Sequence, residues 1–219
     1  MYRTPLALLG LVLLSGCNIL VTEKPLFTAA DEAGAPALKP GVWLIFEEDG
    51  CKFDETKPID EWPDCAGGGV IRPGEVIDHD QKAPKGVFEH SPFVFAAGAP
   101  RIAQMQMKEQ ATAGVGDDQT TEKAVSYAYG AVRPTKLDDQ GRIVAATYWF
   151  VLCGPPAPKD KNGDDSDLAT LKPFPGVKMK PGDATCTTDS KTVVHTAAVA
   201  SEAFKKAPLN ARWLRDGDK

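Results

Sequence analysis

Histidine is scarce in this chain. Only three occur, His79, His90 and His195, and no two stand at a spacing that gathers metal ligands. His79 lies within Asp78-His79-Asp80, but neighbours on a strand point to opposite faces. Zinc catalysis takes three close protein ligands. Cys-x-x-Cys is absent, which removes the common structural zinc pattern. No Gly-x-Ser-x-Gly elbow and no Ser-x-x-Lys set occurs, so Ser190 and Ser201 read as a helix cap and helix surface. Gly67-Gly68-Gly69 lacks the Lys-Ser/Thr ending of a phosphate loop and reads as a kink or bulge. Basic residues are outnumbered: 25 Lys and Arg face 30 Asp and Glu, a net charge of −5. That balance argues against nucleic acid and against electrostatic docking on anionic lipid. No apolar run approaches the ~20 residues of a membrane-spanning helix, and no repeat of solenoid length is visible. With no catalytic set, no cofactor motif and no metal cluster, the expectation is a non-enzymatic protein.

What is present begins at the N terminus. A cationic start with Arg3 leads into an apolar run at 6–14, then small residues. That is the pattern of a secretory signal. Leu14-Ser15-Gly16-Cys17 resembles the lipobox of bacterial lipoproteins. The resemblance implies that residues 1–16 are a signal peptide, that the chain is cut before Cys17, and that Cys17 carries the acyl chains. Several chains on one residue make anchoring stable where one is marginal. Asn18, rather than Asp, follows the cysteine. By the same resemblance this implies the outer membrane, periplasm-facing, with the inner membrane as the alternative. Removing the leader takes only Arg3 from the charge balance.

Four cysteines remain once Cys17 is assigned to lipid. An exported chain with an even remainder reads as a disulfide framework. Cys51, Cys65, Cys153 and Cys186 permit three connectivities. Cys51–Cys65 and Cys153–Cys186 are expected because each pair closes one polar loop, the alternative being free buried thiols. Residues 17–40, with Pro25, Pro36 and Pro40 and no periodicity, read as the lipidated cysteine and a flexible tether. Residues 41–219 read as one globular β-rich domain.

Within that domain, Val42-Trp43-Leu44-Ile45-Phe46 is rich in strand formers. Residues 70–72 and 75–78 flank Pro73-Gly74 and read as a hairpin, since Gly accepts the positive φ of a type II turn. Further strands are expected at 93–95 and 101–107. The centre is a long hairpin over 124–132 and 142–153. Its second strand is apolar on both faces, with Tyr148 and Trp149 pointing opposite ways, so both faces are expected to be covered. Ala128 and Gly130 leave a small-residue face on the first strand. Residues 191–207 carry helical spacing with Asp189 or Ser190 as N-cap. The fold class is therefore α+β and mostly β: a single antiparallel sheet domain, sandwich-like or partly closed, with one C-terminal helix lying on the sheet. Trp62, inside the Cys51–Cys65 loop, is expected to fold back as a lid over apolar surface.

Two site readings remain. Tyr127, Tyr129 and Trp149 are possible ligand-facing residues. Asp160, Asn162 and Asp164 match the first positions of a calcium loop, but Asp165 and Leu171 stand where that loop needs Gly and Glu, so a metal is not expected. The function expected is that of a membrane-tethered bacterial cell-envelope lipoprotein with a binding or structural role. Its partners are the membrane, through the anchor, and an envelope protein or the cell wall. The alternative is a carrier of a small apolar ligand in a cavity of the sheet. The anchor is checked by replacing Cys17 with Ser and fractionating cells. The variant is expected to lose the normal cleavage and the acyl chains; normal processing with retained membrane binding contradicts the lipoprotein reading.

Overall fold

The computed structural model describes residues 18–79, 83–108, 125–156, 172–180, 185–204 and 209–217. Its centre is a meander of seven antiparallel strands: β2 (Gly41–Glu47), β3 (Ala66–Arg72), β4 (Glu75–Asp78), β5 (Glu89–Ala96), β6 (Arg101–Lys108), β7 (Val125–Leu137) and β8 (Ile143–Phe150). Short pieces β1 (Val21–Thr22), β9 (Lys178–Met179) and β10 (Cys186–Thr187) lie outside it, as does helix α1 (Lys191–Ser201). The last strand, β11 (Leu209–Arg215), enters between β8 and β2. Leu209 stands opposite Tyr148 and Arg212 opposite Ala145, while Trp213 stands opposite Trp43. The sheet expected to be sandwich-like or partly closed is thus a closed eight-stranded antiparallel barrel with a C-terminal helix.

Alternation sorts the side chains into three apolar clusters. The inner face holds Trp43, Ile71, Phe93, Phe95, Ala103 and Ala146. The outer face of β2–β4 holds Val42, Leu44, Val70 and Ile77 under Trp62. The outer face of β6–β8 holds Ile102, Tyr129, Ala131 and Trp149 under α1 and the N-terminal segment.

The glycine run belongs to β3 and is not a kink. A Cβ at Gly67 would collide with the Phe46 ring, and one at Gly68 with the Trp43 carbonyl and the Trp62 ring. The bulge lies opposite, in β2, between Leu44 and Phe46. Bare backbone at 67 and 68 therefore admits Phe46 on the inner face and Trp62 on the outer one. Trp62 is the expected lid: it is buried, its Nε1 donates to the Lys57 carbonyl at 3.1 Å, and its ring lies 5.0 Å from Phe53. A Cys51–Cys65 disulfide closes this loop, and a Cys153–Cys186 disulfide ties the chain after β8 to β10. Two bridges point to an oxidising, extracytoplasmic compartment.

Residues 18–40 correct the flexible-tether expectation. Leu20, Val21 and Phe27 are buried, and β1 pairs with β7. Gln104, on the outer face of β6, holds the segment as a neighbouring strand would. Its Oε1 accepts the Leu26 and Phe27 N–H groups at 2.8 Å each, and its Nε2 donates to the Phe27 carbonyl at 3.0 Å. A proline-rich stretch without periodicity is thus ordered by partners outside its own sequence, the β7 pairing and one buried amide among them.

Helix α1 starts on Ser190, whose Oγ accepts the Val193 N–H. Val194, Ala197, Ala198 and Ser201 are buried at helical spacing. The helix does not sit on the Ala128 and Gly130 face. Those residues stand opposite Met105 and Phe150 on the inner face. The Ala-rich stripe meets the aromatic outer face instead, where Trp149 Nε1 donates to the Ala198 carbonyl at 2.9 Å. Both faces of β8 are covered at 148 and 149, Tyr148 by the barrel and Trp149 by the helix, but Phe150 remains 47% exposed. Chemical denaturation separates the two environments. Trp149→Ala is expected to cost about 3–5 kcal/mol. Phe150→Ala is expected to cost about 1 kcal/mol, since nearly half of the ring already meets water. Equal losses contradict the open position of Phe150.

Candidate functional site: the open end of the barrel

The two ends of the barrel differ in their connections. At one end the links are short: Pro73-Gly74, with Gly74 at φ 78°, then residues 97–100 and 138–142. Asp138 organises the last of these, its carboxylate accepting the Gln140 and Arg142 N–H groups and pairing with the Arg142 guanidinium at 2.7 Å. At the other end the links are long: 48–65, 79–88, 109–124 and 151–208.

The interior is filled at the short-turn end. Trp43 is 1% exposed, and its Nε1 donates to the Lys39 carbonyl at 2.8 Å. The Trp213 indole donates to the Pro40 carbonyl at 3.0 Å and lies under the Lys39 ammonium, 3.4 Å from the ring centroid. Arg101 is buried on the inner face, its guanidinium 3.9 Å from the Phe95 centroid and bonded to the Ala96 and Phe95 carbonyls. Burial, the largest influence, holds its pKa below the ordinary arginine value. Glu32, in the short turn Ala29–Glu32, accepts the Phe95 N–H beyond the reach of β4. These groups make a floor.

Toward the long-loop end the inner face opens. Phe46 stands opposite Gly67, Phe150 opposite Gly130, and Leu209 opposite Tyr148. These three come from three strands, share the inner face, and remain 40%, 47% and 37% exposed. Ile45, Met105, Met107 and Tyr148 below them are half-buried. Small side chains at Ala103, Ala128 and Gly130 line the wall beneath Phe150. At Gly130 an added Cβ meets nothing closer than 3.8 Å, so the space there is set by what the residue lacks. Tyr148 spans the seam: its hydroxyl donates to the Ile45 carbonyl, which the β2 bulge leaves out of the ladder, at 3.1 Å. Burial pushes its phenol up to about 12. The site has an apolar side over an aromatic floor, with Tyr148 tied back to the wall, and Asp78 and Glu89, opposite each other on β4 and β5, stand across the same end.

Nothing matches. Comparison with family models, with curated proteins and with solved structures finds no counterpart to the chain. The site is therefore argued from its own geometry.

The expected ligand-facing aromatics are elsewhere. Tyr127, Tyr129 and Trp149 point out of the barrel, toward α1 and the N-terminal segment. Tyr129 is 1% exposed and shares a 2.6 Å hydrogen bond with the Thr22 hydroxyl, and burial raises its pKa. They are core, because the barrel closes away from them. Cys17 and the acidic residues Asp160, Asn162 and Asp164 lie outside the described residues. The histidines stay apart. His79 bonds the Val87 carbonyl and His90 bonds Glu75, each at 2.8 Å, while His195 stands edge-on to Phe27. Burial lowers the His195 pKa. Among the described residues no three His, Cys, Asp or Glu side chains gather as metal ligands. Phe46, Phe150 and Leu209 were not singled out from sequence. Phe150 shares its face with Tyr148, which is a readable signal, but the opposing strand β11 is needed before that face becomes a mouth.

Tyr148 gives the site a pH signature. Its folded pKa is raised above the ordinary 10.0, so its contribution to stability is complete below pH 10. The unfolded chain ionises first as pH rises, and the contribution is lost by about pH 12. Ultraviolet titration is expected to show a phenolate step near 12 that vanishes in Tyr148→Phe; a full set of ordinary steps near 10 contradicts the burial.

Proposed function

We propose that the chain is a non-enzymatic binding protein of the bacterial cell envelope, held to the membrane through lipidated Cys17, and that it takes an apolar ligand in the open end of its barrel. The single observation that supports the site is the gathering of Phe46, Phe150 and Leu209 on the inner face of one end with more than a third of each exposed. Eight-stranded barrels are just wide enough to be filled by side chains or to hold one small ligand. Here the short-turn half is filled, and in the long-loop half, among the described residues, the adjacent strands β8, β11 and β2 leave Phe150, Leu209 and Phe46 exposed. Large apolar side chains left half in water inside a concavity favour a ligand over a flat protein partner. Covering the remaining four-tenths or so of three such side chains offers about 2–3.5 kcal/mol, before any burial of the ligand itself. The lipobox resemblance supports the anchor, and Asn18 supports the outer membrane. The disulfides agree with a periplasm-facing domain.

The binding site is tested with a neutral apolar fluorophore such as N-phenyl-1-naphthylamine. One saturable site per chain is expected. Gly130→Leu is expected to weaken it at least tenfold by filling the space under Phe150, whereas Gly130→Ala, which the backbone accommodates, is expected to retain it. Circular dichroism confirms folding of both. Unchanged binding in a folded Gly130→Leu protein contradicts the proposed site.

A further inference from the structure

We infer that the open end of the barrel lies against the membrane that carries the anchor, and that its occupant is an acyl chain of a lipid of that bilayer. This rests on the anchored reading of Cys17 and adds to it an orientation and a ligand class.

The argument starts from the lack of slack at the N terminus. Asn18, the residue after Cys17, is 5% exposed. Its Nδ2 donates to the Gly154 carbonyl at 2.9 Å, and its own carbonyl accepts the Cys153 N–H at 3.0 Å. Ile19 stands opposite Leu152, and its carbonyl accepts the Cys186 N–H at 3.3 Å. The Cys153–Cys186 bridge fastens the two chains that grip this strand. A tether would let the barrel tumble; a strand pinned from its first residue cannot.

The pinned point is at the open end. Residues 151–153 continue β8 past Phe150, its last residue and one of the three that line the mouth. At ~3.3 Å per residue of extended chain, Cys153 and the Asn18 beside it lie within ~10 Å of Phe150 along the backbone. The short-turn floor is at the opposite end of β8, beyond Ile143. An acyl group on Cys17 therefore enters the bilayer beside the mouth and away from the floor. The polar surface of the membrane then faces the side of the mouth formed by exposed Phe46, Leu209 and Phe150 on the adjacent strands β2, β11 and β8. The neighbouring molecules with long, uncharged, unbranched apolar parts are the lipids themselves. The apolar side of the mouth, Phe46, Phe150, Leu209, Ile45, Met105 and Met107, matches hydrocarbon, while Asp78 and Glu89, exposed and opposite each other on β4 and β5, stand across the same end of the barrel.

The test uses the full anchored chain in phosphatidylcholine vesicles whose acyl chains carry bromine, a contact quencher of tryptophan. Phe150→Trp and Leu209→Trp report the mouth, and Leu137→Trp, 46% exposed next to the 138–142 turn, reports the floor end. Quenching at both mouth positions severalfold above that at 137 is expected, and adding Gly130→Leu is expected to abolish the excess while the protein stays on the vesicles. Equal quenching at both ends overturns the orientation. Excess quenching that survives Gly130→Leu overturns entry of the chain into the barrel. Mouth emission that is blue-shifted but blind to brominated lipid indicates the protein's own anchor as occupant and also overturns the proposal. A wild-type protein that does not associate with the vesicles at all, or whose Cys17 carries no lipid by mass spectrometry, fails at the anchor and not at the mouth.

Discussion

The architecture depends on the insertion of β11 between β8 and β2. Without it the seven-stranded meander is an open sheet with two long apolar edges, a state prone to pairing with other chains. With it, the inner face becomes an interior. Closure also explains the path of the chain after β8. The polypeptide leaves through Cys153, is tied at Cys186, crosses the outer face as α1, and returns at Leu209 beside Tyr148. The helix is thus both a cover for Trp149 and the strut that delivers the closing strand. The contacts of β11 are divided along its length, with Leu209 to Arg212 on β8 and Arg212 to Arg215 on β2. Near Leu209 its β2 side is unpaired among the described strand registers, and Tyr148 bridges to Ile45 there. The mouth and the seam share a cause: the closing strand crosses from one neighbour to the other.

Two disulfides reinforce the same geometry. Cys51–Cys65 holds the loop that carries Trp62 and Phe53 onto the outer face of β2 and β3, and that loop also presents Glu55 to Arg212 of β11, with Nη1–Oε2 at 3.0 Å. That guanidinium is the largest influence lowering the Glu55 pKa. Cys153–Cys186 holds the N-terminal strand at the other outer layer. Native bridges in exported domains typically contribute about 2–5 kcal/mol. Here each also fixes a segment of low regular structure against the barrel.

Most of the meander was legible because local chemistry and tertiary role agree in it. Pro73-Gly74 makes the turn it spells, the alternation of β6 separates Ala103 and Met105 from Ile102 and Gln104, and Ser190 caps the helix. Strand β11 was not legible. Its sequence, Leu209-Asn210-Ala211-Arg212-Trp213-Leu214-Arg215, places two arginines in a barrel strand, and only the distant loop explains them: Arg212 meets Glu55, and Arg215 donates to the Lys57 carbonyl at 2.8 Å. The segment at 18–40 looked like a tether for a similar reason, since its order is supplied by distant partners, β7 and Gln104 of β6 among them. The mouth followed the same rule. Phe46 and Phe150 were visible as strand residues, but that they share an inside required knowing that the sheet closes. The aromatic signal at Tyr127, Tyr129 and Trp149 was real and marked the outer core instead.

Closure by β11 is tested most directly by native-state amide hydrogen exchange. The amides of Ala211 to Trp213, where β11 passes from pairing with β8 to pairing with β2, are expected to exchange as slowly as those of Trp43 and Ala146 on the neighbouring strands. Rapid exchange across 209–215, with β2 and β8 protected only on their other sides, would show an open sheet and contradict the barrel, its interior and its mouth together.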